Sequence, residues 1–454
     1  MMIDRSDRHS FEEYADEPSS SSAATGTEAE FQRLKTRVHR ELIESLDLSR
    51  IGEIDDARLR RHVRGLAEGM LRNRQELLSA RDEERLVDEL MAESFGLGPL
   101  EPYLQDPDVT DILVNGPYEV FVERFGRLQE TNTVFADEEH LMQIITRVVT
   151  RVGRRIDELS PMVDARLPDG SRINAIIPPL SLSGPVLSIR RFGHQPLSID
   201  DLLEHGSIAP DMVQFLRAAV EGRINLMVSG GTGSGKTTML NALSRYIPRG
   251  QRLVTIEDSA ELMLQRKHVV TLETRPAGTE TTGEVTQRDL LRNALRMRPD
   301  RIVIGEVRGP EALDMLQAMN TGHEGSLTTI HANDARDALS RLEVMVSMAG
   351  FELPATVVRR YVASAITLVV HLARLQGGAR RVMRICELTG VADGDYAMQE
   401  IFSFRQQGVD ATGMAMGDFH ATGNVPRLTT RLAEMGIDLP ASLFAPRKLE
   451  EKEG

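Results

Sequence analysis

Residues 230–237 read Gly-Gly-Thr-Gly-Ser-Gly-Lys-Thr and fit the G-x-x-x-x-G-K-[ST] pattern of a phosphate-binding loop in full. Glycines let successive backbone N–H groups turn toward a phosphate, and a helix that starts at the loop adds the positive end of its dipole. We expect Lys236 to reach the β- and γ-phosphates of a nucleoside triphosphate and the Thr237 hydroxyl to hold Mg²⁺. The expected nucleotide-binding residues of the loop are Gly230, Gly231, Thr232, Gly233, Ser234, Gly235, Lys236, Thr237 and Thr238.

The residues on either side of this loop support the same interpretation. An apolar run at 224–228 precedes the loop and predicts a strand, and residues 238–243 are typical of a helix. Strand, loop and helix in this order are the setting in which the pattern binds phosphate, whereas a glycine-rich turn that binds nothing has no need of Lys236 followed by Thr237. ATP and Mg²⁺ are therefore the expected ligands.

Carboxylates at the ends of two further predicted strands are candidates for the remaining chemistry. An NTPase needs an acid that organises Mg²⁺ and a group that positions the attacking water. The apolar run 253–256 is followed by Glu257 and, one turn later, by Glu261, and a second run ends in Gly305-Glu306. Gly305 stands where many Walker B segments have aspartate. We expect Glu257 or Glu306 to activate water, and Glu306 to bind Mg²⁺ either directly or through water.

Two histidines and four arginines complete the candidate set. His323 precedes the strand predicted at 327–330 and His331 ends it, so both could sense the γ-phosphate; a structural role is the open alternative for each. Arginines that reach a nucleotide from a neighbouring domain or subunit can neutralise charge in the transition state. Four arginines upstream of the loop could act in this way, unless they are ordinary surface residues: Arg166, Arg172, Arg190 and Arg191.

The elements that must position these residues follow from changes of pattern along the chain. Short apolar runs alternate with helical patterns beyond residue 209, which predicts an α/β domain with a largely parallel sheet. Strand-like alternation and one helix predict a small α+β domain before it, and three- and four-residue spacing in Leu34, Val38, Leu42 and Leu46 predicts helices. The expected divisions are 1–28 as a disordered tail, 29–98 as a helical extension, 99–192 as the α+β domain, 193–208 as a linker and 209–454 as the nucleotide-binding domain with a C-terminal subdomain.

Composition excludes several classes of function. The chain has 54 Lys+Arg against 68 Asp+Glu and a net charge of -14, which argues against a general affinity for nucleic acid or anionic lipid. Its single cysteine, Cys386, excludes a disulfide framework and a CxxC metal site and fits a reducing compartment. We see no secretory signal and no apolar run near the roughly 20 residues that span a bilayer. The expected location is cytoplasmic.

The order of these motifs resembles the type II/type IV secretion ATPase superfamily. GGTGSGKTT at 230–238, TIEDSAEL at 255–262, IVIGEVRG at 302–309 and TGHEGSLTTIHAN at 321–333 carry the resemblance. Further segments are similar to the CpaF branch, the motors of tight-adherence (Tad) pili. They are LETRP at 272–276, LRMRPDR at 295–301, EALDMLQAMN at 311–320, and GDF and ATG at 417–423.

The resemblance implies a hexameric, RecA-like P-loop ATPase at the cytoplasmic face of the inner membrane. It implies that ATP lies between the arginine-bearing domain and the RecA-like domain, and that hydrolysis moves the two domains and pushes on a membrane platform protein. By match, Glu257, Glu306, His323 and His331 carry over as site residues, and Arg190 and Arg191 less directly as γ-phosphate contacts. The chain lacks the zinc-binding CxxC pair of type II secretion ATPases, which argues against that branch.

Three other functions stay open at this stage. A type IV secretion or conjugation ATPase shares all the central motifs, and a scaffold that binds ATP without appreciable turnover would carry the same loop. A DNA-translocating helicase could also be a RecA-like hexamer, but the acidic balance and the lack of interleaved basic and aromatic residues argue against it.

Overall fold

The computed structural model describes residues 31, 34–35, 37–38, 41–42, 56–72, 79–124, 126–191, 196–275 and 283–450. The tail expected at 1–28 lies outside these residues. The chain divides into two compact units. The first unit comprises Met1–Val122 and Gln129–Arg191, and the second comprises Glu123–Leu128 and Phe192–Gly454.

The first unit begins with the expected helices, α1 (Asp56–Arg72) and α2 (Ala80–Phe95). The Ser79 hydroxyl accepts a hydrogen bond from the backbone N–H of Asp82 and caps the amino end of α2. Leu34, Val38 and Leu42 are buried in the same cluster as the apolar face of these helices, as their spacing predicts; Leu46 lies outside the described residues.

A six-stranded antiparallel sheet with one covering helix accounts for most of the rest of the first unit, although Glu123–Leu128, the end of β2 and the start of β3, are grouped with the second unit. Its strand order is β3-β2-β1-β6-β5-β4, and the helix α4 (Glu138–Arg151) buries Leu141, Ile144, Ile145 and Val148 in the core that the sheet also lines. The elements are the short helix α3 (Glu101–Gln105) and the strands β1 (Val109–Asn115), β2 (Val120–Arg124), β3 (Arg127–Glu130), β4 (Met162–Arg166), β5 (Arg172–Ile176) and β6 (Val186–Arg190).

A buried carboxylate ties helix α2 to this sheet-and-helix layer. Glu93 is 5% exposed, and its carboxylate contacts Lys35 Nζ at 3.3 Å and His140 Nε2 at 2.8 Å. Arg147 of α4 donates to the carbonyls of Glu93 and Gly96 at 2.6 and 2.7 Å. Burial alone would raise the pKa of Glu93, but hydrogen bonding and charge from His140 and Lys35 lower it. The helical extension is therefore joined to the α+β layer by ionic contacts.

The second unit is built on a ten-stranded sheet of order β16-β15-β14-β13-β12-β7-β11-β10-β8-β9. The strands from β12 to β9 in this order are parallel to one another, as predicted, and those from β13 to β16 are antiparallel. The strands are β7 (Leu226–Gly230), β8 (Leu253–Glu257), β9 (Val269–Glu273), β10 (Arg301–Val307), β11 (Leu327–His331), β12 (Leu368–Arg374), β13 (Arg380–Ala392), β14 (Asp395–Val409), β15 (Ala415–Ala421) and β16 (Arg447–Lys448).

Helices cover both faces of the parallel part of this sheet. Leu226 and Val228 of β7 belong to one buried cluster and Met227 to another, so alternate residues of the strand face two separate cores. Cys386 is also buried, and burial raises the pKa of its thiol to about 12. The helices are α5 (Ile199–Glu204), α6 (Pro210–Glu221), α7 (Lys236–Ser244), α8 (Gln287–Ala294), α9 (Glu311–Asn320), α10 (Ala335–Ser347), α11 (Ala355–Ala365) and α12 (Leu428–Glu434).

The described part of the segment expected as a linker, 196–208, includes a short helix. It contains α5, which begins with a reciprocal capping box between Ser198 and Asp201. Ile199 and Leu202 are buried in the core of the second unit. The capped helix and its two buried side chains therefore pack as part of the second unit.

In the part of the chain that the structure describes, every helix is too short or too polar to span a bilayer.

Arg301, the first residue of β10, is fully buried at the amino edge of the parallel strands. Its Nε donates to Gln251 Oε1 at 2.6 Å, and its Nη1 donates to the carbonyls of Val220 and Gly325 at 2.7 and 3.2 Å. Burial, with Arg223 nearby, lowers its pKa to about 10, so it stays charged at neutral pH. One guanidinium thus joins the last turn of α6 to the segment before β11.

We predict that Arg301→Met lowers the free energy of unfolding by about 3 kcal/mol, because methionine fills the space but leaves the Gly325 carbonyl and the Gln251 side-chain oxygen without the donors that Arg301 supplies. Urea unfolding followed by circular dichroism measures the change. Arg296→Met, on an exposed side chain five residues earlier, is the control and should stay within about 0.5 kcal/mol of wild type. Equal effects of the two substitutions would contradict the role assigned to Arg301.

Candidate nucleotide site

The phosphate-binding loop lies between the central strand β7 and helix α7, which begins at Lys236. Gly233 and Gly235 have φ angles of +67° and +96°, which residues with a Cβ rarely adopt. A Cβ atom at Gly230 would lie 2.4 Å from the carbonyl oxygen of Leu372 on the neighbouring strand β12. Both backbone conformation and space therefore require glycine at these positions of the loop.

Lys236 lies over the loop that precedes it. Its Nζ donates to the carbonyls of Gly230 and Gly231 at 3.0 and 2.9 Å, and the Ser234 hydroxyl also donates to the Gly231 carbonyl. Burial lowers the pKa of Lys236, and the charge of Glu306 opposes that shift. The Lys236 ammonium group thus bonds to the first two residues of the loop.

Glu257 occupies the space that a Walker B side chain would need. It is 3% exposed at the end of β8, and its Oε1 accepts the backbone N–H groups of Glu261 and Leu262, each at 2.9 Å. A Cβ atom at Gly305, on the adjacent strand β10, would lie 2.8 Å from Glu257 Cγ. Glycine replaces the usual aspartate because the glutamate of the next strand fills that volume. Glu261 thus contributes a backbone N–H that fixes the Glu257 carboxylate.

Glu306 is held by an arginine that the sequence analysis missed. Arg308 donates from Nη2 and Nε to Glu306 Oε2 at 2.5 and 3.0 Å, and its Nη1 lies 3.6 Å from Asp258 Oδ2. Lys236, Glu306 and Arg308 also influence one another electrostatically, so they share one site. Arg308 is part of the Walker B segment itself, and its position two residues after Glu306 was the available signal.

The two histidines lie at opposite edges of the sheet. His331 ends β11 and pairs in register with Gly230, which brings it to the loop as expected. His323 precedes β11 at the amino edge, where its carbonyl accepts the Ser326 hydroxyl. The five-residue strand alone spans about 13 Å. Within one copy of the second unit, His323 therefore lies away from the loop, because parallel strands present only their carboxyl ends there, and its expected role at the γ-phosphate stays a prediction.

His371 is a further residue that the sequence analysis did not select. It is 6% exposed on β12, and its Nδ1 lies 3.0 Å from the hydroxyl of Ser229, which directly precedes Gly230. Burial lowers its pKa, and a hydrogen bond to the backbone of Asn333 opposes the shift. Its sequence signal was weak, since it is one histidine within an apolar strand.

Three of the four predicted arginines form a row in the sheet of the first unit. Arg166, Arg172 and Arg190 are directly paired across β4, β5 and β6, and Arg190 is also paired with Asp111 of β1. Arg190 Nε donates to Asp111 Oδ1 at 3.2 Å. Paired residues in register lie on the same face of a sheet. We refer to Arg166, Arg172 and Arg190 as the arginine row.

Arg191 does not belong to the arginine row. Successive residues of a strand alternate between faces, and Arg191 follows the last residue of β6. Its guanidinium donates to the carbonyls of Asp106 and Val109, so it fastens the end of β6 to the segment before β1. The structure gives it contacts within the first unit, and the expected phosphate contact stays a prediction.

The donors around the loop suit Mg²⁺. This ion prefers oxygen ligands and is commonly bound through one or two side chains, several waters and the phosphates of a substrate. Thr237 in the first turn of α7 and Glu306 at the end of β10 offer oxygens of this kind. The described residues contain no group of three or more His, Cys, Asp or Glu side chains that could form an all-protein metal site.

The family of type II/IV secretion system proteins matches residues 93–436, which include the loop, both acidic segments and both histidines. The chain belongs to this family of secretion ATPases. Its first unit is represented in the match from Glu93 onward, and the match extends through the antiparallel strands β13 to β15.

Individual relatives agree with this membership. A putative conjugal transfer protein of Mycobacterium tuberculosis is 38% identical over 305 residues, which cover 66% of this chain and 86% of the relative. The type IV secretion system protein VirB11 of Brucella suis is 34% identical over 330 residues, or 67% of this chain and 91% of VirB11. The crystal structure of the Brucella suis VirB11 ATPase with sulphate covers 65% of this chain and 97% of its own, with a TM-score of 0.36 and 34% identity.

We predict that Gly305→Ala abolishes ATP hydrolysis and destabilises the second unit by about 1–3 kcal/mol, because the added methyl group collides with Glu257. Thermal unfolding and phosphate release measure the two effects. The control Gly250→Ala adds a methyl group where no atom lies within 4 Å and should change neither.

The double variant Gly305→Ala/Glu257→Ala separates the two effects. Removing the glutamate side chain relieves the collision, so thermal stability should return toward that of Glu257→Ala while hydrolysis stays absent. If the collision does not exist, the two substitutions should destabilise additively.

Proposed function

We propose that the chain is a Mg²⁺-dependent ATPase that hydrolyses ATP to ADP and phosphate and works as the motor of a Tad-type type IV pilus. The observation that supports hydrolysis best is the meeting of three strand ends. The phosphate-binding loop follows β7, Glu257 ends β8 and Glu306 lies on β10, all at the carboxyl edge of one parallel sheet.

The residues of this edge divide the chemistry among them. The backbone amides of residues 230–237 and the Lys236 ammonium bind the phosphates and neutralise charge that builds up on them. Glu257 or Glu306 orients the attacking water and accepts its proton. Thr237 and Glu306 would hold Mg²⁺, which when bound polarises the phosphate oxygens. Arg308 holds the Glu306 carboxylate in place by two hydrogen bonds.

A hexamer whose two lobes close on each nucleotide would turn this chemistry into movement. We propose residues 99–192 and 209–454 as the two lobes, with Arg172 and Arg190 of the arginine row as contacts of the γ-phosphate from the same or the next subunit. Such a motor would act from the cytoplasmic face of the inner membrane on a platform protein, with no role for nucleic acid. The net charge of -14 argues against nucleic acid as a partner.

Two related machines are candidates for the system that this motor drives. The segments at 272–276, 295–301 and 311–320 favour the Tad pilus, whose filament the motor would extend and also retract. The similarity to VirB11 and to a putative conjugal transfer protein favours a type IV secretion or conjugation system. Deletion of the gene followed by inspection for surface filaments decides between them, because only loss of filaments agrees with the pilus proposal.

We predict that Lys236→Ala reduces phosphate release by at least about 100-fold, because charge developing on the phosphates loses its nearest cation. The purified full-length protein is assayed with ATP and Mg²⁺. Lys267→Ala, an exposed lysine of the same unit, is the matched control and should stay within twofold of wild type. Wild-type release no faster than that of Lys236→Ala would replace the motor with an ATP-binding scaffold.

Substitution within the arginine row should lower the turnover number and leave ADP binding nearly unchanged. We predict a fall of kcat of about 1000-fold for Arg172→Gln or Arg190→Gln, with ADP affinity within threefold of wild type. Arg155→Gln, an exposed arginine of the same unit, is the control. Arg191→Gln should instead lower the melting temperature of the first unit. An unchanged kcat in both row variants would remove these arginines from the site.

A further inference from the structure

The hairpin formed by β12 and β13 carries two arginines against the outer side of the phosphate-binding loop. Arg380 Nε donates to the carbonyl oxygen of Gly233 at 2.9 Å. A Cβ atom at Gly233 would lie 3.4 Å from Arg374 Nη1, and one at Gly235 would lie 3.6 Å from Arg380 Cδ. Both guanidinium-bearing side chains are therefore in contact range of the same turn of the loop.

The two arginines oppose each other directly. Arg374 and Arg380 are paired in register at the end of the hairpin, and like charges in such a pair destabilise a sheet. Arg374 forms an ion pair with the carboxylate of Glu123, a residue far from it in sequence, at 3.7 Å. Among the described residues no carboxylate lies within ion-pair distance of Arg380. The hairpin thus concentrates positive charge beside a loop that is suited to phosphate.

The strand order indicates which part of a nucleotide this charge faces. β7 lies between β12 on one side and β11, β10 and β8 on the other. Glu257 and Glu306, which would act on the terminal phosphate, lie on the β8 and β10 side. Lys236 and the loop amides hold the terminal phosphates, so the side of the loop that faces β12 is left for the remainder of the nucleotide.

We propose that Arg374 and Arg380 bind the nucleoside end of the nucleotide, that is, its ribose and base. A guanidinium group suits both parts, because it donates charge-assisted hydrogen bonds to the ribose hydroxyls and stacks on the aromatic face of the base. The proposal rests on nucleotide binding by the loop. It assigns affinity to residues more than 130 positions downstream of the loop, beyond every acidic and histidine segment of the family.

The test compares two ligands that share their phosphates and differ in the nucleoside. A fluorescent ADP derivative gives the affinity for nucleotide, and its displacement by inorganic pyrophosphate gives the affinity for phosphate alone. Arg380→Gln and Arg374→Gln should each weaken ADP binding by about tenfold, the worth of one charge-assisted hydrogen bond, and change pyrophosphate binding less than twofold. Arg380→Lys keeps the charge without the planar fork and should recover part of the ADP affinity.

Arg381→Gln is the matched control. Arg381 neighbours Arg380 on β13 but faces the other side, where it donates to the His205 carbonyl at 3.0 Å, so ADP affinity should stay within twofold. ADP affinity within twofold of wild type in both glutamine variants would overturn the proposal. So would an equal loss for pyrophosphate, because the arginines would then act only through the shape of the loop. Failure of wild-type protein to bind either ligand would instead overturn nucleotide binding itself.

Discussion

The structure depends on the position of one strand. β7 lies at the centre of the parallel strands, with β11 on one side and β12 on the other, and the phosphate-binding loop follows its last residue. Gly230 packs so closely against the Leu372 carbonyl that no side chain fits between them. Because the strands on both sides run parallel to β7, every strand that follows the same direction delivers its carboxyl end to the loop. Glu257, Glu306 and His331 reach the site by this rule, and His323 is excluded from it by the same rule.

Close packing also explains why the acidic residues depart from the common Walker B arrangement. The volume beside the loop holds one carboxylate side chain between β8 and β10, and Glu257 fills it. Glycine is then the only residue type that fits at position 305 of the neighbouring strand β10. The candidate carboxylates are accordingly distributed over two strands, with Glu257 fixed by two backbone N–H groups and Glu306 fixed by Arg308. This division keeps two acids close to one loop without placing their side chains in the same space.

Buried or paired charges connect the secondary elements of both units. Glu93 joins the helical extension to the α+β layer of the first unit through Lys35, His140 and the adjacent backbone. Arg301 joins elements of the second unit in the same way, by donating to carbonyls in the last turn of α6 and in the segment before β11. At the end of β6, two neighbouring arginines have different surroundings because adjacent residues face opposite ways: Arg191 bonds to backbone carbonyls, and Arg190 lies in the arginine row. One arginine stabilises the unit and its neighbour remains in a row of like charges.

Local sequence determined the loop, the strands β7 to β11, the helix α4 and the acidic residues that stand at the strand ends. Their patterns are short, and each is specified by residues that are neighbours in the chain: glycines that permit positive φ angles, apolar runs that form buried parallel strands, and acids placed directly after them. Tertiary structure decided what depends on distant pairing. The contact of Glu257 with Gly305 and the placement of Arg374 and Arg380 beside Gly233 arise from strand order. The position of His323 at the amino edge of the sheet and the opposite orientations of Arg190 and Arg191 have the same origin. Pairing between strands that are far apart in sequence leaves no periodic signal, so these relations appear only when the sheet is assembled.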